Sequence, residues 1–209
     1  MTITAIQPRR RGMSALYIDN EYAVDIDTET LLTNAIKVGM SIDDDFLKDL
    51  ICKSNDKKAK EKALNLISYR DHSKKELIDK MSRTVGADAA KNAADKMEQL
   101  GLINDYNFAK NYAKELIERK KFSISRVSYE LSKKGIDRDT ISEILEQFSI
   151  DPIEQAISLI EKRYGRCIKT ENGRRKAVAF LQRCGYSFSV IKSALGAFEC
   201  NGEDDCFFE

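Results

Sequence analysis

Residues 131–148 read LSKKGIDRDTISEILEQF, and residues 181–198 read LQRCGYSFSVIKSALGAF. Aligned, Leu131, Lys134, Gly135, Ile136, Ile141, Leu145 and Phe148 fall on Leu181, Cys184, Gly185, Tyr186, Ile191, Leu195 and Phe198. The matching positions are the structural ones. Each copy ends a helix at a glycine able to take the left-handed conformation, and an apolar residue that packs back on the helix follows it. Asp137 or Ser187 then caps the next helix. Self-similarity at a fixed spacing marks a repeat protein.

A looser copy runs from Ala63 to Leu102. Ser73-Lys74-Lys75-Glu76 is a capping box opening a helix that carries Leu77, Ile78 and Met81. Ala93, Met97 and Leu100 then take the parts of Ile141, Leu145 and Phe148, and the inter-helix loop, around Thr84 to Asp88, reads as longer than in the other copies. Each copy starts with one further helix: Glu61 to Tyr69, Tyr106 to Arg119 with Phe108, Tyr112 and Leu116 along one face, and Ile153 to Lys162 behind the capping Asp151 and the N1 proline Pro152. The unit is three helices of roughly 45 residues, too small to bury a stable core alone and completed by stacking on its neighbours.

The first fifty residues alternate instead. Thr2 to Ile6, Ala15 to Ile18 and Tyr22 to Ile26 read as strands, the last two joined by Asp19-Asn20-Glu21 as a β-hairpin. Thr28 or Thr30 opens a short helix through Ile36, stopped at Gly39. Ser41 caps a second helix whose first turn holds Asp43, Asp44 and Asp45, which favour the positive end of the helix dipole rather than a metal site. The polar run Lys53 to Lys58 reads as a hinge. The fold expected is therefore mainly α: three tandem three-helix repeats in an elongated stack (56–104, 105–149 and 150–199), preceded by a small α+β domain with a β-hairpin (1–55) and followed by an acidic tail (200–209), of which Glu203 to Glu209 reads as disordered.

Net charge is +1, but it is segregated. Residues 1 to 55 hold 6 basic and 9 acidic groups, residues 56 to 200 hold 29 and 21, and the last nine hold four acids and no base. A basic helical body suits a polyanionic partner, and a mixed, solvated surface is the alternative explanation. No stretch approaches the roughly 20 apolar residues of a membrane span. No apolar stretch follows Arg9-Arg10-Arg11 as it would in a signal peptide, which leaves the cytoplasm as the expected location. The five cysteines, Cys52, Cys167, Cys184, Cys200 and Cys206, form no C-x-x-C pair and read as reduced thiols.

Nothing in the chain assembles into a catalytic constellation. The one histidine, His72, lies in a polar stretch before a helix cap and reads as solvated surface rather than a general base. There is no G-x-G-x-x-G, G-x-x-x-x-G-K-[ST] or H-E-x-x-H motif, so neither an enzyme nor a cofactor or metal site is expected. Binding residues are more evident. Basic residues concentrate between the first and second helices of the repeats: Arg70, Lys74 and Lys75 in the first, Arg119, Lys120, Lys121 and Arg126 in the second, and Arg163, Arg166, Lys169, Arg174, Arg175 and Lys176 in the third. Periodic stacking would line these connectors up on one side as a stripe able to track a phosphate backbone or an acidic groove. Phe122 and Tyr164 lie among them as candidates for stacking on bases or for plugging the core.

Leu100-Gly101-Leu102-Ile103-Asn104-Asp105, followed by Phe108-Ala109 and Tyr112, resembles the G-L-I-D-D-x-x-F-A signature of RecX regulatory proteins. Arg70-x-x-Ser73-x-x-Glu76-Leu77, Glu130-Leu131-x-x-Lys134-Gly135-Ile136 and Phe180-Leu181-x-x-Cys184-Gly185-Tyr186-Ser187 are similar to further segments of that family, and the similarity spans about residues 60 to 198. Asn104 stands where the family has an aspartate, Cys184 where it has an arginine, and Tyr186 where it has phenylalanine. The segment before residue 55 is similar to the N-terminal extension of longer family members. The resemblance implies three three-helix repeats acting as a modulator of the RecA recombinase, usually an inhibitor, in the groove of the RecA filament on single-stranded DNA; a monomer is expected. The alternatives are a helical scaffold for an unrelated protein and a sequence-specific DNA-binding regulator. The latter fits poorly with third helices such as 139–146, which are acidic where a recognition helix is basic.

Overall fold

The computed structural model describes residues 1–200, so the expectations about Cys206 and the acidic end lie outside the described residues. The chain divides into two compact units, Met1–Asn104 and Asp105–Glu209. It is mainly helical, with one small sheet. No helix among the described residues is long and apolar enough to cross a membrane.

The first unit begins with an antiparallel sheet in the order β1 (Ile3–Pro8), β2 (Met13–Ile18), β3 (Glu21–Asp27). Asp19 and Asn20 at φ 49° and 71° make the tight β2–β3 turn expected of them. Ile3, Leu16, Ile18 and Ile26 turn one face of the sheet onto Leu31, Ile36, Ile42 and Leu50. Helix α1 (Thr28–Thr33) starts at Thr28, one of the two expected positions, with the Asp27 side chain accepting from the Thr30 amide, and it stops short of Ile36. Asp43, not Ser41, caps α2 (Asp44–Tyr69) by accepting from the Phe46 amide; Ser41 pairs with Thr2 in an isolated bridge.

The hinge expected over Lys53–Lys58 is absent: these residues are inside the 26-residue α2. Polarity alone does not break a helix, and the run holds neither glycine nor proline. Its side chains have partners. Ser54 Oγ accepts from the Asp27 amide at 2.9 Å, and the Lys57 ammonium lies 2.8 Å from Asp27 Oδ1 and also binds Glu29. Burial alone would push the Asp27 carboxyl up, but hydrogen bonds from Lys57 and the Thr30 amide outweigh it and hold the group below the ordinary carboxylate value. One helix thus serves two cores, its first half through Phe46, Leu47 and Leu50 under the sheet, its second through Ala59 and Ala63 as the opening helix of the first repeat.

In that repeat α2 packs with α3 (Lys74–Val85) and α4 (Ala87–Gln99) around Leu77, Met81, Ala90, Ala94 and Met97. The long loop expected near Thr84–Asp88 is a single residue, Gly86 at φ 88°. Leu100, expected to be core, is 57% exposed because α4 has already ended.

His72 also departs from expectation, being 5% exposed. Its Nδ1 lies 2.8 Å from the Arg70 carbonyl and its Nε2 lies 2.9 Å from Lys80 Nζ, so Nδ1–H donates and Nε2 accepts. A proton on Nε2 would face an ammonium. Burial first, then the charges of Arg70 and Lys80, push the imidazole below its ordinary value of 6.5. The fold therefore favours the neutral ring, and this contribution to stability is present above pH 6.5 and lost as pH falls through the folded pKa. Because the chain has one histidine, its imidazole signal in an NMR titration is expected to titrate below 6.5; a midpoint at or above that value would contradict the buried neutral ring.

The second unit holds the two copies first seen in the sequence. α5 (Asp105–Lys114) runs into a π-helical turn, Glu115–Arg119, where an unbroken α-helix was expected. α6 (Ile124–Lys133) and α7 (Arg138–Glu146) complete the second repeat around Phe108, Leu116, Val127, Leu131, Ile141 and Ile144. α8 (Pro152–Tyr164), α9 (Glu171–Arg183) and α10 (Phe188–Cys200) form the third around Ile160, Ala177, Leu181 and Ile191. The predicted caps are in place: Asp137 accepts from the Thr140 amide, Asp151 from Ile153 and Glu154, and Ser187 from Val190. Gly135 and Gly185 both take φ 87°.

Candidate polyanion-binding surface

The basic connectors differ from one another in what neutralises them. In the first repeat, Arg70 Nη2 sits 2.6 Å from Glu76, and Lys74 Nζ sits 2.6 Å from Asp95 and 2.7 Å from Glu98. The hydrogen bonds to Asp95 and Glu98 raise the Lys74 pKa. Lys75 is exposed. Two of the three candidate cations here therefore spend their charge within the repeat.

In the second repeat the π-helical turn carries the chain into the connector. Arg119 is exposed, Lys120 lies 3.5 Å from Glu115 and over the Tyr112 ring, and Lys121 is half-buried at φ 55°. Arg126, on the first turn of α6, binds Glu130 at 2.6 Å, with its guanidinium 5.9 Å from the Phe122 ring centre and 5.4 Å from that of Tyr129. Phe122 is a core plug rather than a free ring: it packs partly buried against the apolar clusters of both repeats.

In the third repeat the connector between α8 and α9 exposes Arg166 and Lys169, and Lys176 is exposed on α9. Arg174 donates from Nε to the Ile168 carbonyl at 3.3 Å, and Arg175 pairs with Glu171 at 3.0 Å. Arg163 stands 4.5 Å over the Phe180 ring, and Tyr164 packs against the same ring at 5.8 Å, inside the third apolar cluster.

Arg126 and Arg163, which the sequence places in different repeats, both lie near the end of α9. Arg163 covers Phe180, and Gly185 lies so close to Arg126 that a Cβ there would stand 2.6 Å from Arg126 Cβ. Arg183, from the same turn, joins them. All three act on the buried Cys184 thiol: burial raises its pKa, and the charges of Arg163, Arg183 and Arg126 oppose that rise. Arg183 is missing from the cations expected from sequence because it sits at a helix end and not in a connector. The usable signal was its position next to the repeat glycine, where Lys133 and Lys134 stand in the second copy.

Among the described residues no carboxylate pairs with Arg163 or Arg183, while Arg126 has Glu130. Like charges placed near one helix end repel one another. The carbonyls ending α9 offset part of that, and an anionic ligand would offset more.

Comparison with known proteins gives the surface a context. Models of three RecX domains match in chain order: the first three-helix domain over residues 59–97, the second over 104–145 and the third over 150–195, together more than half of the chain. The chain is 29% identical over 198 residues to Regulatory protein RecX of Clostridioides difficile strain 630, covering 92% of this chain and 93% of that one. It is 28% identical to Regulatory protein RecX of Bacillus subtilis strain 168, covering 97% and 79%. A crystal structure of regulatory protein RecX superposes with a TM-score of 0.59 at 22% identity over 92% of this chain and 98% of that chain, a likeness of fold. That of RecX from Lactobacillus salivarius superposes at 0.55 and 27% identity over 70% and 97%.

Proposed function

From the premise that this chain belongs to the RecX family of regulatory proteins, we propose that it is a non-enzymatic modulator of the RecA recombinase, an inhibitor that lies along the RecA filament on single-stranded DNA. The observation that carries this reading is the placement of Arg126, Arg163 and Arg183, from two repeats, near the end of α9, two of them without a described carboxylate partner. Arg119, Lys121, Arg166, Lys169 and Lys176 are the further candidate cations of these two repeats. Arg70, Lys74, Lys75, Lys120, Arg174 and Arg175 belong to the same set of connectors, and those already paired contribute less. Bridging neighbouring filament subunits would block extension, entry of the paired DNA, or access of a self-cleaving repressor, and so affect recombination and the SOS response. The protein works in this scheme as a cytoplasmic monomer.

The test is RecA filament assembly on single-stranded DNA, followed by fluorescence with this protein at substoichiometric amounts. Slower assembly or faster disassembly is expected. Unchanged assembly, disassembly, strand exchange and repressor cleavage together would reject the proposal, and salt-insensitive binding to an unrelated protein would favour the scaffold reading instead.

A further inference from the structure

The joint between the second and third repeats contains a buried polar network. The π-helical turn leaves the Ile117 carbonyl free of its own helix, and it accepts from Gln155 Nε2 of α8 at 3.0 Å. The other end of that amide, Gln155 Oε1, lies 2.8 Å from the Tyr186 hydroxyl, which also lies 2.8 Å from the Lys121 carbonyl. A hydroxyl has one proton, so Tyr186 donates to one of these oxygens at a time. Ser123 closes the circuit, its amide donating to the Cys184 carbonyl at 3.0 Å and its Oγ to the Gly185 carbonyl at 2.7 Å. Gln155, Tyr186 and Ser123 are each no more than 9% exposed.

The element held this way is the α5–α6 connector, which carries Arg119, Lys120 and Lys121 and leads into Arg126. Lys121 at φ 55° occupies the left-handed position that usually falls to glycine at a helix end. A lysine stays there when its surroundings over-determine it. Here they do so through the carbonyl of that residue, held from the neighbouring repeat. Apolar packing alone would join two repeats. A hydrogen-bonded network additionally specifies one geometry, because each buried partner loses its bond if the joint shifts.

We propose that Tyr186, acting with Gln155, is a positioning residue: it locks the connector of the second repeat in register with the arginines of the third, so that both sets of cations meet one phosphodiester chain at once. This rests on the polyanion-binding reading above. The competing explanation is that the network merely satisfies the groups that the π-helical turn exposes.

The two are separated by the full-length Tyr186→Phe protein binding a fluorescein-labelled single-stranded oligothymidylate across a salt series. Loss of register removes phosphates contacted simultaneously, so the slope of log affinity against log salt is expected to shrink by about one, with affinity about tenfold weaker near physiological salt. A merely structural role would lower the melting temperature by about 5 °C and leave the slope unchanged, and an unchanged slope overturns the proposal. Gln155→Met cuts the same link from the other side and decides the matter if Tyr186→Phe does not fold; it too should show the smaller slope. Wild-type protein that alters RecA assembly but binds no oligothymidylate overturns this inference and leaves the proposed function standing. Wild-type protein that does neither overturns both.

Discussion

Gly185→Ala is expected to destabilise the second unit by about 3 kcal/mol, lowering its melting temperature by roughly 15 °C. Two costs add at this position. At φ 87° any L side chain is strained, by about 1–2 kcal/mol. The new methyl would also stand 2.6 Å from Ser123 Oγ and 2.6 Å from Arg126 Cβ, inside any allowed contact. Neither neighbour yields cheaply. Ser123 caps α6 and donates to the Gly185 carbonyl, and Arg126 Cβ is fixed to the first turn of the same helix. Gly101 is the control: at φ 70° a Cβ added to it would meet nothing within 4 Å, so Gly101→Ala carries the conformational cost alone, about 1 kcal/mol after the gain from a stiffer unfolded chain. Calorimetry on both variants checks the difference. Equal, small shifts would mean that the second and third repeats are not in contact at Gly185.

This contact explains why part of the fold was legible and part was not. The spacing that makes residues 131–148 match 181–198 is imposed locally: a helix must end at a residue tolerating positive φ, and the next must begin at a cap, whatever packs around them. Those demands appear as Gly135 and Asp137, or Gly185 and Ser187, and the structure has them as expected. Features set by distant partners leave no such mark. The run Lys53–Lys58 has the composition of a linker, and the approach of Asp27 and Glu29 to Lys57, which no local pattern announces, gives it partners in the middle of a helix. His72 has polar neighbours in sequence yet is buried by the turn between α2 and α3 and held by Lys80, one turn into α3 and beyond. The π-helical turn depends on a donor for the freed carbonyl that comes from Gln155, 38 residues away.

The candidate surface divides along the same line. Connectors rich in Arg and Lys are visible in any sequence, but whether a charge is available depends on what lies opposite. Glu76 follows Arg70 closely enough for that pair to be inferred, whereas Asp95 and Glu98 reach Lys74 only because α4 folds back along α3. Net charge by segment overstates the first repeat as a binding element for this reason. Arg183 shows the converse, a cation outside every basic run that the fold places at the end of α9, beside Cys184.

Availability of charge leads to the largest functional effect expected. Arg163→Glu combined with Arg183→Glu should weaken binding to single-stranded DNA and to RecA filaments by about a hundredfold or more at near-physiological salt, since each reversal removes one phosphate contact and adds a repulsive one. Neither side chain holds the fold through an ion pair among the described residues. Arg163 contributes a ring contact worth about 0.5–1 kcal/mol, so the double variant should stay folded with a modestly lower melting temperature. Lys48→Glu with Lys60→Glu, on exposed turns of α2, changes net charge by the same amount far along the chain from these arginines. If binding responded only to overall charge, the two doubles would lose affinity equally. If it depends on the arginines near the end of α9, the control should lose no more than about threefold, because a change of net charge alone acts only through screened, non-specific attraction. Fluorescence anisotropy with labelled DNA, with and without RecA, measures both; equal losses, or a wild-type-like Arg163→Glu, Arg183→Glu protein, would remove this surface from the binding role.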